Sequence, residues 1–148
     1  YNPFHYGGGG MTSTLSDYLK ILQFFLKNIK SATARNTISL MFKNQIGHFD
    51  IPPLKSYNQS LALDYEIHPN VKKSWGYGVL LNDQPLPQGR SAGSGSWAGV
   101  LNTYFWIDHK NDLAGVFLTQ ILPCYSPQLL EAFESFEKLS YKHLKLAG

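Results

Sequence analysis

The stretch Gly93-Ser-Gly-Ser-Trp-Ala-Gly-Val100 decides the fold of this chain, together with two stretches that follow it. These are Asn102-Thr-Tyr-Phe-Trp-Ile-Asp-His109 and Leu113-Ala-Gly-Val-Phe-Leu-Thr-Gln120. Both are rich in aliphatic and aromatic residues, and Asp108-His-Lys-Asn-Asp112 between them is rich in residues that close hairpins. Glycines in a strand let a ligand approach the backbone. The stretch therefore predicts antiparallel strands with a glycine-rich edge that forms one wall of a substrate cleft.

Two helices are predicted before these strands. Thr14-Leu-Ser-Asp17 has the pattern of a capping box, and the apolar residues after it recur at helical spacing, which predicts a helix over about 15–28. Asn36 is placed to cap a second, shorter helix, and Gly47 is placed to end it in the left-handed conformation.

The rest of the chain is predicted as a long loop over 48–73, strands, and a closing helix. Strands are expected over 75–81, 92–98, 101–107 and 113–119, and Ser126-Pro127 is placed to open the helix. Alternation puts Phe105 and Trp106 on opposite sheet faces, so both faces need cover. We expect Trp97, Phe105 and the apolar helix face beside one core. That helix face consists of Leu129, Leu130, Phe133, Phe136 and Leu139.

Composition limits the function classes. The 148 residues are 43% hydrophobic and 14% aromatic, enough for one core, and the net charge of +3 is spread rather than clustered. No basic stripe suggests a nucleic-acid partner, no apolar run is long enough for a membrane span, and the histidines lack metal-ligand spacing. The single cysteine, Cys124, fits a reducing compartment, so a cytoplasmic location is favoured. We expect no metal and no cofactor.

The order of the motifs resembles the C-terminal part of the β-lactamase-like serine hydrolases. The matching pieces are the Gly7–Gly10 run with its Ser-Thr-x-x-Asp-Tyr helix, a second helix with Met-Phe-Lys-Asn-Gln, Trp-Gly-Tyr-Gly, Trp-Ala-Gly, the hairpin and the closing helix. The nearest group is the class C β-lactamase-related esterases and acyltransferases. The resemblance implies an α/β fold of the α+β type, with an antiparallel sheet, flanking helices and a missing N-terminal portion.

That resemblance assigns the whole chain, 1–148, to one domain. Its helical part is 1–47, the long loop 48–73, the strands 74–120 and the closing helix 126–144. The partner it implies is the N-terminal portion of the same protein, which carries the nucleophile in Ser-x-x-Lys and a Tyr-x-Asn element. Without that portion the chain is expected to be inactive.

Two local matches to these motifs are not assigned to the site: the first is interpreted as a solvated helix face and the second as a coincidence of composition. Ser135-Phe-Glu-Lys138 matches Ser-x-x-Lys, but it follows the third motif, whereas the family's nucleophile precedes it. Ser56-Tyr-Asn58 matches Ser-x-Asn, but it lies in a proline-rich loop close to the third motif.

The resemblance also names candidate site residues. The family's third motif, Lys-Thr-Gly, falls on Trp97, Ala98 and Gly99, so the backbone N–H of Val100 would be an oxyanion donor. Trp97 replaces the lysine that meets an anionic substrate, and Ala98 replaces the threonine. Both changes favour a small ester or amide over a penicillin-like anion. The alternative is that Trp97 is a core residue.

Two further alternatives stay open at the level of sequence. The Gly7–Gly10 run either approaches the substrate or gives the chain a flexible turn into the first helix. The chain itself is either half of a hydrolase or acyltransferase, or a non-catalytic binding module that retains the second half of the fold.

Overall fold

The structure, a computed structural model, describes residues 9–30 and 35–147. Gly7 and Gly8 of the glycine run lie outside the described residues, as does the side chain of Asn36 with its expected cap. Among the helices of the described ranges, none combines the length and apolar character that a membrane span requires.

In the described part of the chain, two helices precede the sheet. Helix α1 spans Leu15–Ile29, and the Thr14 hydroxyl caps it by accepting the Asp17 N–H at 3.1 Å, which confirms the predicted start. Helix α2 spans Arg35–Met41. Gly47 is left-handed as predicted, with a φ of 64°. It does not end α2, however, because the Asn44 side chain accepts the Ile46 N–H and donates to the Gly47 carbonyl. These local hydrogen bonds form a turn that competes with the helix.

Within residues 9–30 and 35–147, five antiparallel strands form one sheet in the order in which they occur along the chain. They are β1 Lys73–Trp75, β2 Leu80–Asn82, β3 Ser94–Gly99, β4 Thr103–Asp108 and β5 Leu113–Phe117.

The single strand expected over 75–81 is wrong, because β1 and β2 form a hairpin there. Gly76 donates to the Val79 carbonyl at 2.9 Å, and a Cβ on Gly76 would collide with the Met41 carbonyl. Gly78 takes a φ of 76° in the same turn, a conformation that glycine adopts at little cost. The two glycines therefore permit a tight reversal where periodicity alone predicted one strand.

The predicted long loop carries two isolated bridges, Leu54 with Tyr65 and Ala62 with Cys124. The second bridge ties the loop to the segment that follows β5. The loop thus lies beside the end of the sheet rather than apart from it.

Helices cover both faces of the sheet. On one face, Leu22 of α1 packs with Ile107 and Val116, and Phe105 borders this cluster. On the other, the closing helix α3, Pro127–Ala147, packs Phe133 and Tyr141 against strand aromatics. These aromatics are Tyr104 and Trp106. The expectation of one core shared by Phe105 and the closing helix is wrong. Side chains alternate along β4, so Phe105 lies on the sheet face that α1 covers, and α3 covers the other face.

The start of α3 is as predicted, since the Ser126 carbonyl accepts the N–H groups of Leu129 and Leu130. Its buried face is rotated from the predicted one. Glu137 and Tyr141 are buried, whereas Phe136 and Leu139 are 38% and 53% exposed. The reason is an ion pair that the sequence pattern did not reveal: Glu137 accepts two hydrogen bonds from Arg90, each 2.8 Å long.

Candidate active site

Strand β3 has an edge that is open at its C-terminal end. It pairs with β4 as far as Gly99 with Thr103, but with β2 only as far as Ser96 with Leu80. In the described part of the chain, Trp97, Ala98 and Gly99 therefore have a strand neighbour on one side only. Backbone groups on an open strand edge are free to pair with another extended segment.

Trp97, Ala98 and Gly99 line a cleft of about 530 Å³. The segment 11–14, which precedes α1, forms the opposite side of the cleft. The cleft's other lining residues include Met11, Thr12, Ser13, Thr14, Leu118 and Gln120. Gly10, at the end of the glycine run, has a φ of 91° and open space on the side where other residues carry a Cβ, as expected for a turn into the helix. The fold thus brings the third-motif strand and the segment after the glycine run to one cleft.

Trp97 is half-buried and contacts another tryptophan on the same sheet. Its ring meets that of Trp75 edge-on, with centroids 4.5 Å apart and an interplanar angle of 64°. It belongs to neither buried core cluster, and it lines both the cleft and a smaller cavity of about 40 Å³ on the α3 side. Trp97 is therefore a wall residue, held by Trp75, whose contact with substrate stays a prediction.

Ala98 and Gly99 have structural reasons for their small size. Ala98 packs against the aromatic cluster under α3. A Cβ on Gly99 would collide with the Thr103 hydroxyl oxygen, so a side chain there requires the Thr103 hydroxyl to move. The last strand pair of the hairpin thus favours glycine at this position.

Val100 follows the end of β3 and begins the loop to β4. Its side chain is 53% exposed, and no backbone hydrogen bond from its N–H is formed within residues 9–30 and 35–147. Val100 does not itself line the cleft, although its neighbours Gly99 and Leu101 do. A free amide N–H can donate to an oxygen of a bound molecule.

Asn102, in the same loop, is a residue that the sequence interpretation missed. It is 0% exposed and has a φ of 54°. Its Nδ2 donates to the carbonyls of Ile121 and Pro123, and its Oδ1 accepts from the Tyr104 hydroxyl and the Tyr125 N–H. An asparagine between two strand patterns is a known turn signal, but most of its partners are distant in sequence.

Cys124 lies behind the motif strand. Its thiol is 3.5 Å from the Gly99 carbonyl, and burial raises the pKa of the thiol above its usual value. A buried thiol with a raised pKa is a poor nucleophile at neutral pH. Cys124 therefore supports the strand and is not a candidate for covalent chemistry.

Asp108 ties the strand hairpin to α3. Although burial raises it, the pKa of Asp108 lies below its usual value, because the Ser91 N–H, the Asn111 side chain and the Tyr141 hydroxyl donate to the carboxylate. Burial, together with the Asp108 charge, raises the pKa of Tyr141. These groups stabilise the fold and lie outside the cleft lining.

Neither local motif match contributes to the cleft. Ser135 and Lys138 are exposed on α3, where they line a surface hollow with Glu131 and Glu134. The Ser56 hydroxyl donates to the Asn58 carbonyl and accepts the Asn58 N–H, which is a local turn. Within the described residues, no group of three or more His, Cys, Asp or Glu side chains could hold a metal ion.

Comparison with known proteins identifies the fold. The unliganded simvastatin synthase from Aspergillus terreus superposes with a TM-score of 0.69 at 23% identity, over 86% of this chain and 34% of that one. The ML-236A carboxylate methylbutanoyltransferase of Penicillium citrinum is 25% identical over 95% of this chain and 35% of its own length. The lovastatin esterase of Penicillium rubens is 25% identical over 93% and 35%.

This chain resembles part of a β-lactamase-like esterase or acyltransferase. The expected family resemblance and the α+β fold with an antiparallel sheet and flanking helices are confirmed. No family model matches the chain. The chain spans about a third of the length of the relatives that it matches, a share that fits the expected C-terminal part.

Proposed function

We propose that this chain is the part of a serine esterase or acyltransferase that forms one wall of the acyl site and supplies an oxyanion donor. The observation that carries the proposal is the Val100 N–H, which has no backbone partner among the described residues, at the end of a strand whose outer edge, Trp97–Gly99, has no strand neighbour there and lines the cleft. The relatives named above are an acyl-transferring enzyme and an esterase, and both reactions pass through a tetrahedral intermediate.

The nucleophile in this proposal comes from an N-terminal portion that carries Ser-x-x-Lys, with a Tyr-x-Asn element beside it. The serine oxygen bonds to the substrate carbonyl carbon, and the carbonyl oxygen takes up negative charge. The Val100 N–H and the nucleophile's own N–H donate to that oxygen. The lysine or tyrosine of those motifs takes up the serine proton during the attack and gives it to the leaving alcohol as the intermediate collapses. The acyl-enzyme that remains passes the acyl group to another alcohol or to water. One such donor contributes about 3–4 kcal/mol to the transition state.

The walls of the cleft favour an apolar acyl group. Trp97 presents a ring where the family has a lysine. The methyl group of Ala98, which replaces the threonine, packs on the α3 side of the sheet and removes a hydroxyl from this strand. A carboxylate would lose its cationic partner there, whereas a short aliphatic chain would gain contact with the ring. We therefore place esters of short aliphatic acids ahead of penicillin-like anions as substrates.

The role of Val100 can be tested by removing one N–H. Val100 is the first residue of a hairpin loop, a position that accepts proline, so Val100→Pro deletes the donor with little change of backbone. In the protein that joins these residues to the Ser-x-x-Lys portion, we expect kcat for p-nitrophenyl butyrate to fall about 100- to 1000-fold. Val100→Ala keeps the N–H and serves as the matched control, with kcat near that of the parent. Equal kcat values for the two variants, at equal melting temperature, would contradict the proposal.

A second experiment addresses the 148 residues alone. We expect no ester turnover and no covalent adduct with a fluorophosphonate probe, because the proposal puts the nucleophile elsewhere. The Ser135→Ala variant is the control. A probe adduct that disappears in Ser135→Ala would make the Ser135-x-x-Lys138 match a real site and overturn the assignment.

One observation favours the non-catalytic alternative, a self-standing binding module: α1 and α3 of the chain itself cover the two sheet faces. Against it stand large apolar side chains left exposed on α1, namely Leu15, Ile21 and Phe24. Size-exclusion chromatography, together with the binding of a dye for apolar surface, distinguishes the binding module from part of an enzyme. A monomer that binds no dye favours the module.

A further inference from the structure

The loop between β3 and β4 is fixed by an unusual asparagine. Gly99 pairs with Thr103, which leaves three loop residues, and the last of them, Asn102, is left-handed with a φ of 54°. Three-residue hairpin loops commonly end with a residue in this conformation. Glycine would serve that purpose, so backbone conformation alone does not explain an asparagine that is 0% exposed.

The side chain of Asn102 uses its full hydrogen-bonding capacity. A carboxamide has two N–H donors and two acceptor lone pairs. The donors reach the Ile121 and Pro123 carbonyls at 2.8 Å each, and Oδ1 accepts from the Tyr104 hydroxyl at 2.7 Å and the Tyr125 N–H at 2.8 Å. By contrast, Asn70 has a φ of 63° and is exposed. The carboxamide of Asn102 therefore joins the loop to the segment 121–125.

Two more contacts hold the same loop. The Thr119 hydroxyl donates to the Leu101 carbonyl, and the Cys124 thiol lies 3.5 Å from the Gly99 carbonyl. Val100 is thus flanked by anchored residues on both sides, while its own N–H is left without a protein partner in the described ranges. These contacts restrict the loop on each side of an N–H that is available to a bound molecule.

We propose that Asn102 is a positioning residue that holds the Val100 N–H in the direction of the substrate oxygen; this inference rests on the oxyanion role proposed for Val100. Catalytic groups have to be held within about 0.5 Å and 10–20° of the productive geometry. An unanchored loop samples directions in which the N–H misses the oxygen. The transition state loses most of that hydrogen bond, whereas ground-state binding of the acyl group by the cleft walls is unchanged.

The first test needs no catalysis and uses the present chain. Asn102→Gly keeps the left-handed backbone and removes all four hydrogen bonds, and Asn70→Gly is the matched control at an exposed left-handed position. We expect the ¹⁵N order parameter of Val100 to be near 0.85 in the wild type and in Asn70→Gly, and to fall below about 0.6 in Asn102→Gly. A Val100 that stays rigid in Asn102→Gly overturns the inference.

Milder variants serve if Asn102→Gly does not fold. Thr119→Val removes only the hydroxyl that holds Leu101, and Tyr104→Phe removes only one of the bonds to Oδ1. We expect each to lower the Val100 order parameter less than Asn102→Gly would, and an unchanged value in both overturns the inference.

The second test is kinetic and uses the protein that includes the nucleophile, with active sites counted by the fluorophosphonate probe. We expect Asn102→Gly to lower kcat per active site tenfold or more with KM within twofold of the parent. A general loss of structure would lower the number of active sites instead. If Val100 becomes mobile and kcat per site is unchanged, the anchoring by Asn102 stands and the oxyanion role of Val100 is refuted.

Discussion

Replacing Glu137 by leucine removes one half of an ion pair that lies inside the protein. The side chains of Arg90 and Glu137 are 1% and 2% exposed, and two hydrogen bonds of 2.8 Å join them. The Arg90 guanidinium also lies 5.9 Å from the centre of the Trp106 ring. Since arginine stays protonated, Glu137→Leu leaves a buried cation without a counter-charge.

The expected cost follows from that burial. Breaking a buried pair by removing one partner costs about 3–5 kcal/mol, because the remaining ion cannot recover its hydration. For a domain of this size, the loss corresponds to a fall in melting temperature of about 6–20 °C. Removing both charges, in Arg90→Met with Glu137→Leu, should restore most of the loss, because a pair of apolar side chains carries no desolvation penalty.

Urea unfolding followed by tryptophan fluorescence measures these free energies. The matched control is Lys30→Met, which breaks an ion pair of 3.3 Å whose side chains are 58% and 65% exposed. Its expected cost is below about 1 kcal/mol. The reasoning is refuted if Glu137→Leu costs no more than Lys30→Met, or if the double variant loses the sum of its two single variants.

Two further predictions concern the cleft and the response to pH. In the protein that carries the nucleophile, Trp97→Lys should lower kcat/KM for short esters about tenfold or more, since an aromatic contact contributes about 1.5–3 kcal/mol. Trp97→Phe is the control. An unchanged kcat/KM in Trp97→Lys would make Trp97 a structural residue. Burial, with help from Arg90 and Lys73, lowers the pKa of His68 to about 3. The folded state therefore binds fewer protons than the unfolded state between pH 3 and 6.5. The contribution of neutral His68 to the free energy of unfolding is full above that window and is lost as the pH falls through it. From pH 7 to pH 5 the loss is at most about 2 kcal/mol. Unfolding at both pH values should show that His68→Asn loses less than the wild type, and equal losses would contradict the assignment.

Local patterns predicted the elements whose causes are local. The capping box at Thr14, the turn over 108–112 and the start of α3 at Pro127 all depend on residues within a few positions of one another. The glycines of β3 predicted the cleft wall. The resemblance to the esterases and acyltransferases added the roles of Trp97–Gly99 and Val100, which stay predictions.

The errors arise where distant residues decide the outcome. The buried face of α3 differs from the predicted one because Glu137 pairs with Arg90, which lies 47 positions away in the sequence. Gly76, which packs against the Met41 carbonyl, and the left-handed Gly78 allow one predicted strand to become the β1–β2 hairpin. Asn102 was missed because its partners lie as far as 23 positions along the chain. None of these contacts leaves a periodic signal in the sequence, so each required the folded structure.

The cover on the α3 side of the sheet has a consequence for synthesis of the chain. The meander β1–β5 is complete at Phe117, whereas the helix that covers Tyr104 and Trp106 ends at Ala147. At about 5–20 residues per second, the ribosome needs roughly 2–6 s to make the intervening residues. We expect the sheet face with Tyr104 and Trp106 to be uncovered during that interval, because α3 is made last. Helix α1 has already been made and can cover the other face. The nascent chain therefore passes through a stage in which only one side of the sheet is open to chaperones and to other nascent chains.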